Sequence, residues 1–160
     1  MTHPGCPACG IAATRRETLR RLASLMAVAL ATPVGARAAT PEIVQPRSAS
    51  RQGFMERAFE MRRRAIERGD QPYGAVIVTQ GRIVGEGVSA VVTDNDPTAH
   101  AEIQAIRDAA HRLGTRDLSG CEMYGTARAC PMCEAGAYWA RVARMYHSAS
   151  ITDAGAPRLP

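Results

Sequence analysis

Two short stretches of this chain combine side chains that can bind metal or exchange protons: HAE at residues 100–102 and CPMC at residues 130–133. A run like the second lies near the start of the chain, GCPACG at residues 5–10. Two Cys-x-x-Cys pairs are compatible with one structural zinc ion, with two redox dithiols, or with one working site and one unrelated pair. The sequence around each pair distinguishes these alternatives.

The first pair lies in a segment that has the features of an export signal. Residues 1–38 hold five arginines and a single acid, and a moderately apolar run at 22–31 is followed by Ala-Arg-Ala at 36–38. Arg15 and Arg16 resemble the paired arginines of a twin-arginine signal. We therefore expect a signal peptide over residues 1–38 and a periplasmic protein; a cytoplasmic location is the alternative.

Removal of this segment changes the charge of the chain. All 20 basic residues are arginine and the whole chain carries +5, but residues 39–160 hold 15 arginines against 14 acids, a net charge of +1. A nucleic-acid partner is therefore not favoured, and no other run is long and apolar enough to anchor the mature form in a membrane. Cys6 and Cys9 leave with the signal, which argues against a four-cysteine zinc site.

The mature chain divides into a linker at 39–51, a domain at 52–153 and a tail at 154–160. Apolar spacing predicts a first helix over 52–68, ended by Gly69 and the residues after it. A tight turn between two apolar runs predicts a hairpin. Further elements follow in the order strand, strand, helix, strand, helix, strand, at 75–78, 83–92, 96–114, 121–126, 131–140 and 142–146.

This order predicts an α/β fold with three layers, α/β/α, and a mixed central sheet. The strands are antiparallel in the hairpin and parallel where helices connect them. In open α/β sheets, the helices begin at the carboxyl ends of the strands, where functional sites lie. We therefore expect His100 and Glu102, at the start of one helix, to lie close to Cys130 and Cys133, at the start of the next.

These residue types suit a catalytic zinc site. One imidazole and two thiolates leave the fourth position of the metal open, and a helix N-terminus is expected to lower the pKa of the thiols. Because two thiolates neutralise the ion, a nearby carboxylate is needed to take a proton from water, and Glu102 is placed for it. The pair CPMC by itself also fits a periplasmic redox dithiol.

The chain resembles the cytidine deaminase-like superfamily of zinc deaminases. The resemblance is carried by PYGAVIV at 72–78, NDPTAHAEIQAI at 95–106 and CPMCEAGAYWAR at 130–141, and it is strongest to the guanine deaminase and tRNA adenosine deaminase branch. It covers residues 52–153, nearly all of the mature domain.

The resemblance implies roles for individual residues. It assigns His100, Cys130 and Cys133 as ligands of Zn²⁺ and Glu102 as the proton shuttle. It also makes Tyr73, Ala75 and Ser89 the candidate substrate contacts. A homodimer is the assembly that the superfamily suggests.

The chain departs from the pattern of the superfamily in two places. Ser89 stands where relatives have the asparagine that reads the base, and Arg128-Ala129 stands where they have Glu-Pro before the first thiolate. The predicted function is hydrolytic deamination of an amino-bearing purine base or nucleoside. The alternatives are a catalytically silent zinc-binding relative and, less favoured, a redox protein.

Overall fold

A mixed sheet of five strands forms the centre of residues 41–159, the part of the chain that the computed structural model describes. The predicted signal peptide lies outside the described residues. The elements in chain order are α1 (Arg51–Glu67), β1 (Gly74–Thr79), β2 (Arg82–Val88), α2 (Ala101–Leu113), β3 (Glu122–Gly125), α3 (Pro131–Trp139), β4 (Arg144–His147) and β5 (Thr152–Gly155). None of these helices is long and apolar enough to cross a bilayer.

The sheet has the strand order β2-β1-β3-β4-β5. Strand β1 is antiparallel to both β2 and β3, β3 is parallel to β4, and β4 is antiparallel to β5. Helix α1 packs on one face through a cluster that includes Phe54, Met61 and Tyr124. Helices α2 and α3 pack on the other face through a cluster that includes Ala105 and Ala137. The predicted three layers and mixed sheet are confirmed.

The hairpin between β1 and β2 is also confirmed, although β2 is shorter than predicted. Its two-residue turn has Gln80 and Gly81 in the left-handed region, with φ of 49° and 72°, which suits the twist of a hairpin. The predicted extension of β2 to Val92 is wrong. The backbone N–H groups of Val91 and Val92 donate to the side chain of Asp70 instead of to a neighbouring strand.

Two glycines bring α2 unusually close to β2. A Cβ atom at Gly85 would lie 2.6 Å from the carbonyl oxygen of Ala105, and one at Gly87 would overlap the carbonyl oxygen of Ala101. The facing side of α2 consists of small residues, since Ala101, Ala105 and Ala109 are all fully buried. This contact between backbones fixes the position of the first turn of α2.

Helix α2 begins later than the sequence predicts, at Ala101 rather than at Asp96. The Asp96 carboxylate accepts from the backbone N–H and the hydroxyl of Thr98, both at 2.7 Å, and so closes a separate turn ahead of the helix. His100 is therefore the N-cap residue, with extended backbone angles. The predicted end of the helix is confirmed, because Gly114 caps it in the left-handed conformation.

Both ends of the described domain differ from the sequence interpretation. Part of the predicted linker packs on the domain, because Ile43 is buried and the side chain of Gln45 pairs with both backbone groups of Ile83. At the other end, β5 runs two residues past 153. Its side chains are mostly exposed, so no apolar alternation marks it in the sequence.

Candidate metal centre and active site

The starts of α2 and α3 supply the side chains of the predicted metal site. His100 is the N-cap residue of α2, and Cys130 is the N-cap residue of α3, followed by Pro131 at the first helical position. Both caps have extended backbone angles and neither side chain caps its own helix. The imidazole and the thiol are therefore available to a ligand at this edge of the sheet.

The three predicted ligands converge on one point. Nδ1 of His100 lies 3.6 Å from Sγ of Cys130 and 3.6 Å from Sγ of Cys133. One donor atom from each residue lies within 4.8 Å of the other two. An imidazole nitrogen with two cysteine sulfurs is a donor set that zinc prefers, and three protein ligands leave one position for water or substrate. The residues present therefore fit Zn²⁺ in a catalytic type of site.

The environment of Cys133 does not favour a thiolate by itself. Burial raises the pKa of this thiol, and the neighbouring Glu102 carboxylate and Cys130 raise it further. The expectation that the helix N-terminus would lower the pKa is therefore wrong for Cys133. A divalent cation would reverse the balance, because coordination stabilises the thiolate and the proton is released to solvent or a base.

Glu102 lies in the first turn of α2, directly beside this cluster. Its side chain is buried, and the thiol of Cys133 donates to Oε2 at 3.5 Å. Burial raises the pKa of Glu102, although its own backbone N–H, the Cys133 thiol and the charge of His100 oppose the rise. A carboxyl group with a raised pKa is better suited than an ordinary one to both accept and release a proton during a reaction.

A cavity of about 280 Å³ opens beside Glu102. It lies at the carboxyl ends of β3 and β4, which finish at Gly125 and His147, and Ala154 and Ala156 line its far side. The volume is close to the lower limit, about 300 Å³, of typical small-molecule sites. A larger groove of about 690 Å³ between residues 44–50 and α1 contains none of the predicted site residues, whereas the smaller cavity is lined by Glu102, although not by His100, Cys130 or Cys133.

The structure does not place Tyr73, Ala75 and Ser89 on the wall of this cavity. Tyr73 is exposed, whereas Ala75 is fully buried in the core and pairs with the cavity residue Gly125 on the adjacent strand. The hydroxyl of Ser89 is buried and donates to Oδ1 of Asp70 at 2.8 Å. Substrate contact by these three residues stays a prediction from the sequence.

Asp70 is a structural residue that the sequence reasoning missed. Its carboxylate accepts hydrogen bonds from Gln71 and from the first part of the loop that follows β2. The donors are the backbone N–H groups of Gln71, Val91, Val92 and Thr93 and the hydroxyl groups of Ser89 and Thr93. In the sequence, the stretch around Asp70 shows only a helix stop. The loop it holds leads directly into the turn before His100.

These donors change the acidity of Asp70. Burial opposes the charged form, but the hydrogen bonds, led by the backbone N–H of Thr93 and the hydroxyl of Ser89, outweigh it and hold the pKa well below its usual range. The carboxylate is therefore ionised throughout the physiological pH range, and the loop after β2 is held by hydrogen bonds to this negatively charged group.

Comparison with known proteins identifies the class of protein. The family model for the cytidine and deoxycytidylate deaminase zinc-binding region matches residues 48–149. The chain therefore belongs to this family of zinc-binding deaminases, and the resemblance read from the sequence is confirmed.

Individual relatives place the chain more closely. Guanine deaminase of Bacillus subtilis is 44% identical over 102 residues, which cover 63% of this chain and 65% of that protein. The tRNA-specific adenosine deaminase of Aquifex aeolicus is 41% identical over 96 residues, covering 60% and 64%. The X-ray structure of the Bacillus subtilis guanine deaminase superposes with a TM-score of 0.60 at 41% identity, covering 62% of this chain and 64% of that one.

The metal site gives a first prediction. The purified protein should bind about one zinc ion per chain, and Cys130→Ser or Cys133→Ser should remove most of it, because each loses one of three protein ligands. Metal analysis of the purified variants measures this. Cys121→Ala is the matched control, since Cys121 is buried on the core side near β3 and should keep the metal. Near-zero zinc with a reversible Cys130–Cys133 disulfide would support the redox alternative instead.

The loop anchor gives a second prediction, on stability against pH. A carboxylate whose pKa is depressed by folding stabilises the folded state above its unfolded pKa, about 3.9, and this contribution is lost as the pH falls through its folded pKa. Asp70→Asn should therefore lower the midpoint of thermal unfolding at pH 7, and the gap to wild type should shrink below about pH 4. Circular dichroism melts between pH 3 and 8 measure it.

The control for this experiment is Asp153→Asn, whose exposed carboxylate pairs with Arg144 on the surface and accepts from the backbone N–H of Gly155. It should change the midpoint little at any pH. A gap for Asp70→Asn that is constant across the pH range would show that its charge is not what holds the loop.

Proposed function

We propose that the protein is a hydrolytic deaminase that acts on an amino-bearing purine base or nucleoside and releases ammonia. The observation that carries the proposal is the buried Glu102 carboxylate, which lies 3.5 Å from the sulfur of Cys133 and on the wall of a cavity of about 280 Å³. A structural zinc site needs neither a free carboxylate nor a cavity. The family to which the chain belongs supports the same chemistry.

In the proposed reaction, the ring carbon gains the oxygen of water and loses its amino group as ammonia. His100, Cys130 and Cys133 would hold Zn²⁺, which supplies Lewis-acid activation of water when bound. Glu102 accepts a proton from the water at its carboxylate and passes it to the ring nitrogen, and it then transfers the second proton to the leaving amino group. Burial keeps bulk water away from this exchange and favours the protonated state of Glu102 between the two transfers.

The choice of a purine rests on the relatives and on charge. One relative is named guanine deaminase and another tRNA-specific adenosine deaminase, so both a small base and an RNA occur as substrates in the family. A net charge of +1 over residues 39–160 gives little attraction for a polyanion, which favours the small molecule. A homodimer stays a prediction from the resemblance.

We also propose that the protein acts in the periplasm. The support is the sequence of residues 1–38, with Arg15 and Arg16 ahead of an apolar run and an Ala-Arg-Ala site. A twin-arginine route carries folded protein, which suits a domain that acquires its metal in the cytoplasm before export.

Replacement of the proton shuttle tests the proposed reaction. Glu102→Gln should keep zinc and fold but lose at least about two orders of magnitude in rate, because general acid–base transfer contributes on that scale. Ammonia release from guanine, adenine, their nucleosides and a tRNA anticodon hairpin is the measurement. Glu56→Gln, which removes an exposed carboxylate on α1, is the matched control and should keep full activity. A zinc-loaded wild type that is silent on every substrate would favour the non-catalytic alternative, and activity on RNA alone would overturn the choice of a small substrate.

Replacement of the paired arginines tests export. Arg15→Lys with Arg16→Lys should leave precursor inside the cell, whereas Arg20→Lys with Arg21→Lys, a second adjacent pair, should still be processed. Immunoblots of periplasmic and cytoplasmic fractions measure the outcome. Mature protein that still reaches the periplasm in the first variant, or a native protein that begins at Met1, would contradict the proposal.

A further inference from the structure

Two arginines line the cavity beside Glu102. Among the residues that line it, Arg128 and Arg158 are cationic, and Glu102 and Glu134 are the acids. A pocket that held only an uncharged purine would need none of these arginines.

The guanidinium group of Arg128 is available for a ligand. It is exposed, and no hydrogen bond or ion pair joins its side chain to another residue between 41 and 159. Nearby arginines differ, since Arg141 pairs with Asp117 at 2.7 Å and Arg144 pairs with Asp153 at 2.8 Å. Arg128 is also the residue two positions before the ligand Cys130, so its backbone is fixed close to the metal site.

Arg158 is held at the cavity by its backbone rather than by its side chain. Its backbone N–H donates to Oε1 of Glu134, in the first turn of α3, at 3.3 Å, and the preceding Pro157 is buried. This hydrogen bond occupies Oε1 of Glu134, the carboxylate that lines the cavity besides Glu102. The guanidinium group of Arg158 makes no ion pair with the described residues and is free to bind an anion.

We propose that these two arginines bind the phosphate group of a purine nucleoside monophosphate, whose base reaches Glu102. The inference rests on the proposed function, and it narrows the substrate from a base or nucleoside to a nucleotide. A phosphate monoester carries about −1.5 to −2 charges at neutral pH, which matches two guanidinium groups better than a singly charged carboxylate does. Arginine also binds phosphate through two parallel hydrogen bonds.

A kinetic comparison tests the proposal. Ammonia release by zinc-loaded protein is measured on guanine, guanosine and guanosine 5′-monophosphate, together with the adenine series. Wild type should have a kcat/KM on the monophosphate at least about tenfold above that on the nucleoside, and Arg128→Gln or Arg158→Gln should lower this ratio about tenfold, as expected for loss of one charge-assisted contact. The preference should also decrease as salt is added. Arg68→Gln, an exposed arginine at the end of α1, is the control and should leave the ratio unchanged.

A binding measurement separates this proposal from the proposed function. Calorimetry with zinc-loaded Glu102→Gln protein should detect guanosine 5′-monophosphate and, more weakly, inorganic phosphate, and adding Arg128→Gln should weaken both. If wild type deaminates nothing while this arginine-dependent binding is present, the proposed reaction fails and the phosphate site stands. If guanine or guanosine is deaminated but the monophosphate is neither preferred nor bound more tightly, the phosphate site is wrong and the reaction stands. Tight binding of the RNA hairpin without binding of the monophosphate also overturns it.

Discussion

The rest of the site depends on the contact between the backbones of α2 and β2. Gly85 and Gly87 leave no side chain between strand and helix, and the helix presents alanines in return. This distance sets where the first turn of α2 stands above the sheet, and that turn carries His100 and Glu102. A bulkier residue at either glycine would move a ligand and the proton shuttle together, because both belong to one rigid helix start.

Burial gives this site its electrostatic character. It raises the pKa of Glu102 and of the Cys133 thiol, so that neither group favours its negative charge in this environment. A divalent cation would complement such a set, since it would stabilise the thiolates and leave the carboxyl group to exchange protons. Binding of the metal and acid–base chemistry are thus two results of the same buried environment. Redox chemistry at Cys130 and Cys133 would make no use of Glu102.

The sequence predicted the layers, the mixed sheet and the convergence of His100 with Cys130 and Cys133, because these follow from apolar spacing and from the place where helices begin in such sheets. It failed where side chains compete with regular hydrogen bonding. The Asp96 carboxylate delays α2, and the Asp70 carboxylate ends β2 early; neither effect is visible in apolar spacing. The cavity could not be predicted from the sequence either. Its wall comes from separate elements, and residues in and next to β5, a strand without apolar alternation, contribute to it.

The hydrogen bond between Ser89 and Asp70 makes the two positions epistatic. An asparagine at position 89, the residue that the resemblance to the superfamily implies there, would have to fit its larger amide into a buried space where Asp70 already accepts from several loop donors. The effect of that single replacement therefore depends on which residue stands at position 70, some nineteen positions earlier in the chain. Engineering of position 89 therefore has to consider position 70 as well, because the two side chains share a hydrogen bond.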